Sequence, residues 1–148
     1  MRRAAALLAA CALAAAVAAP AGRAAGARPL DIRATVRLGA DDGVTLRQSG
    51  TFAGAPLGRG SLRMSTRVGL GCGAVVSFVL ANGRGSVRGR ADVALTFRGA
   101  SISYDGRASI ASGTGAFRGL RASGLRVTGR GEVAGDTFAV RITGRVAG

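Results

Sequence analysis

The chain contains no lysine, no histidine and no tryptophan, and it has one tyrosine and two cysteines in 148 residues. Without histidine it cannot build a Ser-His-Asp or Cys-His relay, and it lacks the commonest metal ligand. Without lysine it has no Schiff-base nucleophile and no P-loop lysine. Nucleophile-elbow, dinucleotide-binding and C-x-x-C motifs are also missing. We therefore expect neither a metal nor an organic cofactor, and most familiar enzyme mechanisms are excluded.

The first 27 residues have the layout of a cleavable secretory signal peptide. Met1-Arg2-Arg3 is a short positive region, Ala4 to Ala19 is an apolar run, and Ala25-Gly26-Ala27 is an A-x-A cleavage site. The run is shorter than the roughly 20 apolar residues of a membrane-spanning helix. We therefore predict a secreted protein with no transmembrane segment in its mature chain. A lipoprotein box ending at Cys11 and a twin-arginine signal at Arg2-Arg3 are the alternatives.

Removal of this leader leaves residues 28–148, which are enough for one compact domain. The leader carries three arginines and no acid, so the formal net charge falls from +14 to +11. Only Cys72 remains, so no disulfide within the chain can stabilise the fold. We expect Cys72 to be a small buried residue, with a bridge between two chains as the alternative.

Apolar residues occupy every second position through most of the mature chain, which is the period of a strand with one buried face. In the first predicted strand, Arg33, Thr35 and Arg37 alternate with apolar residues from Ile32 to Leu38. Seven more strands follow, and no segment has a helical period. The fourth strand is apolar on both faces, from Ala74 to Ala81. The inward-facing series of the other seven begin at Ile32, Val44, Leu62, Val87, Ile102, Leu125 and Phe138.

Turn residues separate successive strands at Asp41-Asp42-Gly43, Ala55-Pro56, Asn82-Gly83 and Gly135-Asp136. Asn-Gly between two alternating segments is a strong hairpin signal, because both residues tolerate positive φ. The alternation continues unbroken through Asp105-Gly106, so we predict strand rather than turn there. It slips by one residue at Ser123-Gly124, which predicts a β-bulge.

Eight short antiparallel strands with one apolar face either form a sandwich or close on themselves, and closure removes exposed edges. We predict an all-β fold, a closed eight-stranded antiparallel β-barrel. The interior of such a barrel is filled by side chains or holds one small ligand. Several inward positions are small, namely Gly50, Gly89, Ala91, Gly106, Ala108, Gly129 and Gly131. They favour either a cavity or a tightly packed taper, and the sequence leaves both open.

Two glycine-rich segments resemble motifs of a known family. The segment from Ser109 to Arg121 resembles the I-x-G-G-T-G-x-F-x-x-A-R-G signature of dirigent proteins, and allene oxide cyclases share a related barrel segment. The segment from Gly50 to Gly60 is similar to a G-T-F-x-G-x-P-x-G-x-G stretch of bacterial secreted proteins with such a barrel. The residues that match the dirigent signature include Gly113, Thr114, Gly115, Phe117 and Arg121. The residues that depart from it are Ser112, Ala116, Leu120 and Ala122.

The resemblance implies an eight-stranded antiparallel barrel whose lumen holds a hydrophobic organic molecule. Dirigent proteins steer the coupling of phenoxy radicals that a separate oxidase makes, and the cyclases close a ring in an oxidised fatty acid. Both hold a reactive intermediate in a dry, shaped cavity. Some relatives form dimers or trimers, so a homo-oligomer is a further expectation. Glycine-turn motifs indicate a fold better than they indicate an activity.

Three polar residues, Gln48, Thr66 and Tyr104, fall on the predicted inward face. Buried polar groups need hydrogen-bond partners from protein, water or ligand. Either these residues bond to one another or to a trapped water, or Tyr104 and Gln48 contact a ligand at the lumen wall. Arg121 beside the predicted bulge either faces a carboxylate or enolate at the barrel mouth or is an exposed strand-end arginine.

The arginines alternate opposite the apolar face, so we expect a basic exterior. A basic surface attracts phosphate polymers, but predicted export and the scarcity of aromatic residues for stacking argue against a specific nucleic-acid partner. Three functions stay open. They are a secreted dirigent-like barrel that binds a small hydrophobic or aromatic molecule in its lumen and steers its reaction, a non-catalytic secreted module with a basic surface for wall polymers or proteins, and a cofactor-free cyclase-type isomerase using Tyr104, Gln48 and Arg121. A lumen filled throughout would exclude the first and the third.

Overall fold

The structure, a computed structural model, describes residues 26–148. The predicted leader, residues 1–27, therefore lies almost entirely outside the described residues. The described chain forms eight β-strands and one short 3₁₀ helix at Gly115–Phe117. The strands are β1 (Arg28–Asp41), β2 (Thr45–Ala55), β3 (Gly58–Val68), β4 (Gly73–Asn82), β5 (Gly85–Arg98), β6 (Ser101–Gly113), β7 (Ala122–Glu132) and β8 (Thr137–Val146).

Each strand pairs antiparallel with the next in the chain, and β8 pairs with β1. The sheet is therefore a closed barrel, and the predicted eight-stranded antiparallel architecture is confirmed. Every connection is between sequence neighbours, so the barrel is a simple meander without a crossover. The 3₁₀ helix was not predicted from the two-residue alternation. Within residues 26–148 no helix is long and apolar enough to cross a membrane.

Apolar side chains line the interior of the barrel, and the arginines point to solvent. On β1, Ile32, Ala34 and Val36 are buried while Arg33 and Arg37 are exposed. The same pattern holds around the barrel, and all eighteen arginines of residues 26–148 are exposed. A charged guanidinium inside the barrel would lose its hydrating water and find no carboxylate of residues 26–148 there to pair with. That loss of solvation free energy is far larger than the gain from burying the apolar part of the arginine side chain. The predicted separation of apolar and basic faces is confirmed.

The structure has turns at all four predicted places. Side-chain hydrogen bonds stabilise two of them. The carboxylate of Asp42 accepts the backbone N–H groups of Val44 and Thr45 at 3.1 and 2.7 Å. Asn82 accepts the N–H of Arg84 at 2.9 Å and donates to the carbonyl of Leu57 at 2.7 Å. The Ala55-Pro56 peptide bond in the β2–β3 turn is cis.

Two local features, an uninterrupted strand and a β-bulge, were also predicted correctly. Strand β6 runs through Asp105-Gly106 without a turn. In its ladder with β7, Ala108 pairs with Leu125 while Ile110 pairs with Ala122, so two residues on β7 oppose one on β6. Ser123 and Gly124 are therefore a bulge. The prediction for Cys72 was wrong, because it lies in the β3–β4 turn outside the barrel, where its side chain is exposed.

Aromatic rings cover glycines inside the barrel. Each pair stands directly across two neighbouring strands, and each ring occupies the space that a Cβ on the glycine would need. The four pairs are Phe52 with Gly60, Phe78 with Gly89, Tyr104 with Gly129, and Phe138 with Gly131. The small inward positions at Gly89, Gly129 and Gly131 therefore accommodate rings and do not line empty space.

The other small inward positions are also closely surrounded. A Cβ at Gly50 or Gly106 would collide with the backbone of the neighbouring strand. Ala91 and Ala108 are buried at 1% and 3% exposure in the single apolar core. At these seven positions the structure favours the packed taper over the cavity.

We predict that Gly129→Ala destabilises the protein by about 1–3 kcal/mol, because the new methyl group must displace the Tyr104 ring from a packed interior. Gly83→Ala is the matched control, since no atom lies within 4 Å of a Cβ built there. Its free energy of unfolding should change by less than about 0.5 kcal/mol. Urea denaturation followed by circular dichroism measures both. Equal stability of the two variants would contradict the ring-over-glycine packing.

Candidate functional site

The two ends of the barrel differ in chemistry. The end that holds the β2–β3, β4–β5 and β6–β7 connections is closed, and its apolar residues Leu57, Phe117 and Leu120 are only 1%, 6% and 3% exposed. The end that holds the β1–β2, β3–β4, β5–β6 and β7–β8 turns carries exposed apolar side chains instead. We call these the closed end and the open end.

The residues of the dirigent-like signature build the closed end. Strand β6 ends at Gly113, and the 3₁₀ helix that follows brings Phe117 over the end of the barrel. Gly115 has φ +59°, a backbone conformation that residues with a side chain rarely adopt. A Cβ at this position would also collide with the backbone of the β4–β5 turn. The guanidinium of Arg84 lies over the Phe117 ring at 5.4 Å from its centroid.

Thr114 ties this helix to the start of β5. Its backbone N–H donates to the carbonyl of Ser86 at 2.8 Å. Its hydroxyl accepts the backbone N–H of Ser86 at 3.0 Å and lies 2.8 Å from the Ser86 hydroxyl. Gly113, Thr114, Gly115 and Phe117 thus all lie in the segment that closes this end of the barrel.

All large apolar side chains that are exposed in residues 26–148 lie at the open end. We call them the apolar rim. Leu70 is completely exposed, and Val133 and Phe97 are more than half exposed. The six members are Leu38, Val44, Val68, Leu70, Phe97 and Val133. Exposed apolar residues scattered singly are normal, whereas these six all lie at one end of the barrel.

The three predicted lumen residues lie just inside the apolar rim. Gln48, Thr66 and Tyr104 each occupy the second inward-facing position from the open end of their strands, β2, β3 and β6. Gln48 and Thr66 are buried at 7% and 8% exposure. The Thr66 hydroxyl donates to the Gln48 side-chain oxygen at 3.4 Å, a long bond. This pair satisfies part of its own hydrogen-bonding capacity, and the amide N–H₂ of Gln48 remains a donor.

Tyr104 is the unusual member of the set. Its hydroxyl oxygen is buried, and it forms no hydrogen bond with any group of residues 26–148. Burial of the phenol removes water that would solvate the phenolate, and this raises the pKa of Tyr104 well above its ordinary value of 10.0. Burial thus favours the neutral hydroxyl, which can donate a hydrogen bond to a carbonyl or ether oxygen.

Arg121 does not join these residues. It lies in the β6–β7 connection at the closed end, where its backbone bridges Ala147 and its guanidinium donates to the carbonyl of Leu120 at 2.9 Å. Its side chain is exposed. Of the two predicted alternatives the structure shows the exposed strand-end arginine, because the connection that carries Arg121 folds over the closed end, away from Tyr104 and Gln48. The group of Tyr104, Gln48 and Arg121 considered for a cyclase is not assembled.

Sequence reasoning missed the apolar rim. Val44 and Val133 stand close to predicted turns, and an apolar residue beside a turn was the available signal. Leu70 was predicted to end the third strand, but it lies in the β3–β4 turn. The gathering of these residues at one end depends on the barrel topology. Within the described chain no three His, Cys, Asp or Glu side chains come together as a metal site. The open end offers apolar contact, amide and hydroxyl donors, and no charged group that could act as acid, base or nucleophile inside the barrel.

Comparison of the chain with protein-family models, with curated proteins and with solved structures finds no match. The dirigent-like resemblance and the homo-oligomer therefore stay predictions.

Tyr104 is the only tyrosine, and the chain has no tryptophan, so phenolate absorbance near 295 nm reports on this residue alone. We predict no phenolate signal from the folded protein at pH 10–11 and a full signal after unfolding in urea. Since the folded pKa is raised, the unfolded chain loses its proton first. Stability is therefore unaffected below about pH 10 and falls as the pH rises above it. A phenolate spectrum from the folded protein at pH 10 would show that the hydroxyl is solvated.

Two phenylalanines at opposite ends allow a matched test of the closed end. Phe117→Ala should cost about 3–5 kcal/mol of unfolding free energy, because it removes a buried ring from the end of the core. Phe97→Ala, at the exposed rim, should change stability by less than about 0.5 kcal/mol. Thermal and urea denaturation measure both. A similar loss in the two variants would contradict the difference between the ends.

Proposed function

We propose that this chain is a secreted, dirigent-like β-barrel that binds a small hydrophobic molecule at the open end of its lumen. The observation that carries the proposal is the apolar rim, which gathers every large exposed apolar side chain of the described residues above three inward-facing polar groups. A ligand with an apolar body and one or two oxygen atoms complements that arrangement. Small-molecule sites generally combine apolar walls with a few placed polar groups in this way.

The polar groups support a ligand that carries acceptor oxygens. The Tyr104 hydroxyl is a buried donor without a partner within the described chain, and the Gln48 amide retains its N–H₂ donors. A carbonyl, ether or phenolic oxygen can accept from either group. The pKa of Tyr104 is raised, so its phenol donates a hydrogen bond without transferring its proton.

Packing limits how deep a ligand can enter. The apolar core is one continuous cluster that includes the ring-over-glycine pairs. Leu95, Ile102 and Tyr104 at the open end are only partly buried and pack against the edge of that cluster. The binding site in this proposal is therefore the outer part of the lumen together with the apolar rim. The molecule is held and oriented there, which is how a dirigent-like protein would influence a reaction that another enzyme starts.

A neutral fluorescent probe tests the proposal directly. N-phenyl-1-naphthylamine is apolar and uncharged, so the basic surface contributes nothing to its binding. We expect saturable binding with one site per chain. The double variant Val68→Ser/Phe97→Ser should bind at least about tenfold more weakly, a loss of about 1.4 kcal/mol, because it removes apolar contact area from the rim.

Val79→Ser is the matched control, since Val79 faces outward on β4 away from the open end. Its affinity and its urea midpoint should equal those of the unmodified protein. The proposal fails if the unmodified protein shows no saturable binding, or if the control loses as much affinity as the rim variant.

A further inference from the structure

The outer wall of the barrel carries a shallow groove, and of the residues that line it the proposed function uses only Tyr104. Its volume is about 1130 Å³, and residues of seven of the eight strands line it. The floor is a row of mostly small residues that stand directly across from one another on neighbouring strands. In spatial order the row is Thr51, Thr35, Ala139, Arg130, Ser103 and Thr96.

Arginines border this floor. Arg33 and Arg141 are cross-strand neighbours one row nearer the closed end, and Arg59 continues that row on β3. Arg130 stands within the floor itself. Of these four, Arg33, Arg59 and Arg130 form no ion pair with any carboxylate of residues 26–148. We call the whole surface the arginine groove.

The acids near the arginine groove are already paired. Asp105 lines the groove, and its carboxylate accepts a hydrogen bond from Arg126 at 2.7 Å. Asp31 lies beyond the border and binds Arg141 through both carboxylate oxygens, at 3.0 and 2.9 Å. That pairing lowers the pKa of Asp31. The groove therefore presents an excess of positive charge along a path that follows the curve of the barrel, and this excess favours a chain with several negative charges that can follow the same curve.

We propose that the arginine groove binds an extended acidic polysaccharide. The planar guanidinium forms two parallel hydrogen bonds with carboxylate or sulfate groups. The hydroxyls of Thr35, Thr51 and Ser103 on the floor are suited to bond with sugar hydroxyls between the charged groups. No aromatic ring projects outward into the groove, since Phe52 and Tyr104 point into the barrel, so the groove has no platform on which nucleic-acid bases could stack.

Calorimetric titration of the full chain with a decamer of polygalacturonate and with a heparin decasaccharide tests this proposal and distinguishes carboxylate from sulfate ligands. The triple variant Arg33→Gln/Arg59→Gln/Arg130→Gln should bind at least about tenfold more weakly. A control triple, Arg67→Gln/Arg88→Gln/Arg118→Gln, removes the same charge from exposed positions outside the groove. It should lose less than about threefold, and binding should weaken as salt is added.

A second variant tests shape independently of charge. Thr35→Phe places a ring on the floor between Thr51 and Ala139 without changing the net charge. It should lower affinity at least several-fold while N-phenyl-1-naphthylamine still binds at the open end. Equal losses in the two arginine triples would overturn the proposal, because they would mean unspecific attraction. Unchanged affinity of a folded Thr35→Phe would overturn it too. If inorganic polyphosphate or single-stranded DNA bound to the groove more tightly than either polysaccharide, the proposal would also be overturned, and the ligand would be a phosphate polymer.

Discussion

Closure of eight strands into one barrel fixes an interior that side chains must fill, and here aromatic rings fill it by lying on glycines of the neighbouring strand. Four of the six aromatic residues take this part, and Phe117 closes one end. A residue with a Cβ at Gly129 or Gly131 would push its ring out of the core. The glycines weaken strand propensity, and the rings offset that loss by covering the exposed backbone and adding apolar burial. The open end, the outer groove and the positions of the polar groups all depend on this filled, rigid wall.

The charges are arranged around that wall in a definite way. Three of the seven acids, Asp31, Asp92 and Asp105, pair with arginines on the outer wall. The other four lie in or beside the turns of the open end, where Asp42 fixes a turn through its carboxylate. The open end therefore carries acids beside its arginines, whereas the wall and the closed end have arginines in excess. An uncharged molecule and a polyanion consequently meet different surfaces of the same small barrel.

The local part of the fold could be predicted from the sequence, because alternation is a property of adjacent residues. The inward set, the strand through Asp105-Gly106 and the bulge at Ser123-Gly124 all follow from it. The properties that depend on register could not be predicted. From the sequence alone, an inward-facing glycine suggests empty space inside the barrel. Whether an aromatic ring on the neighbouring strand fills that space depends on the strand register, which long-range pairing fixes. For the same reason Arg121 seemed adjacent to the mouth, although the β6–β7 connection places it at the opposite end from Tyr104.

Among residues 26–148, the hydroxyl of Tyr104 is the one buried side-chain polar atom that has no hydrogen-bond partner. The other three rings that cover glycines belong to phenylalanine, and a phenylalanine at position 104 would cover Gly129 equally well. A buried hydroxyl without a partner costs about 1–3 kcal/mol, and nothing in the described chain compensates for it. A ligand oxygen that accepted a hydrogen bond from this hydroxyl would recover that free energy on binding. With phenylalanine at position 104 there would be no hydroxyl and no such gain. In the proposed function, the single tyrosine would make the barrel prefer a ligand with an acceptor over a hydrocarbon of the same shape.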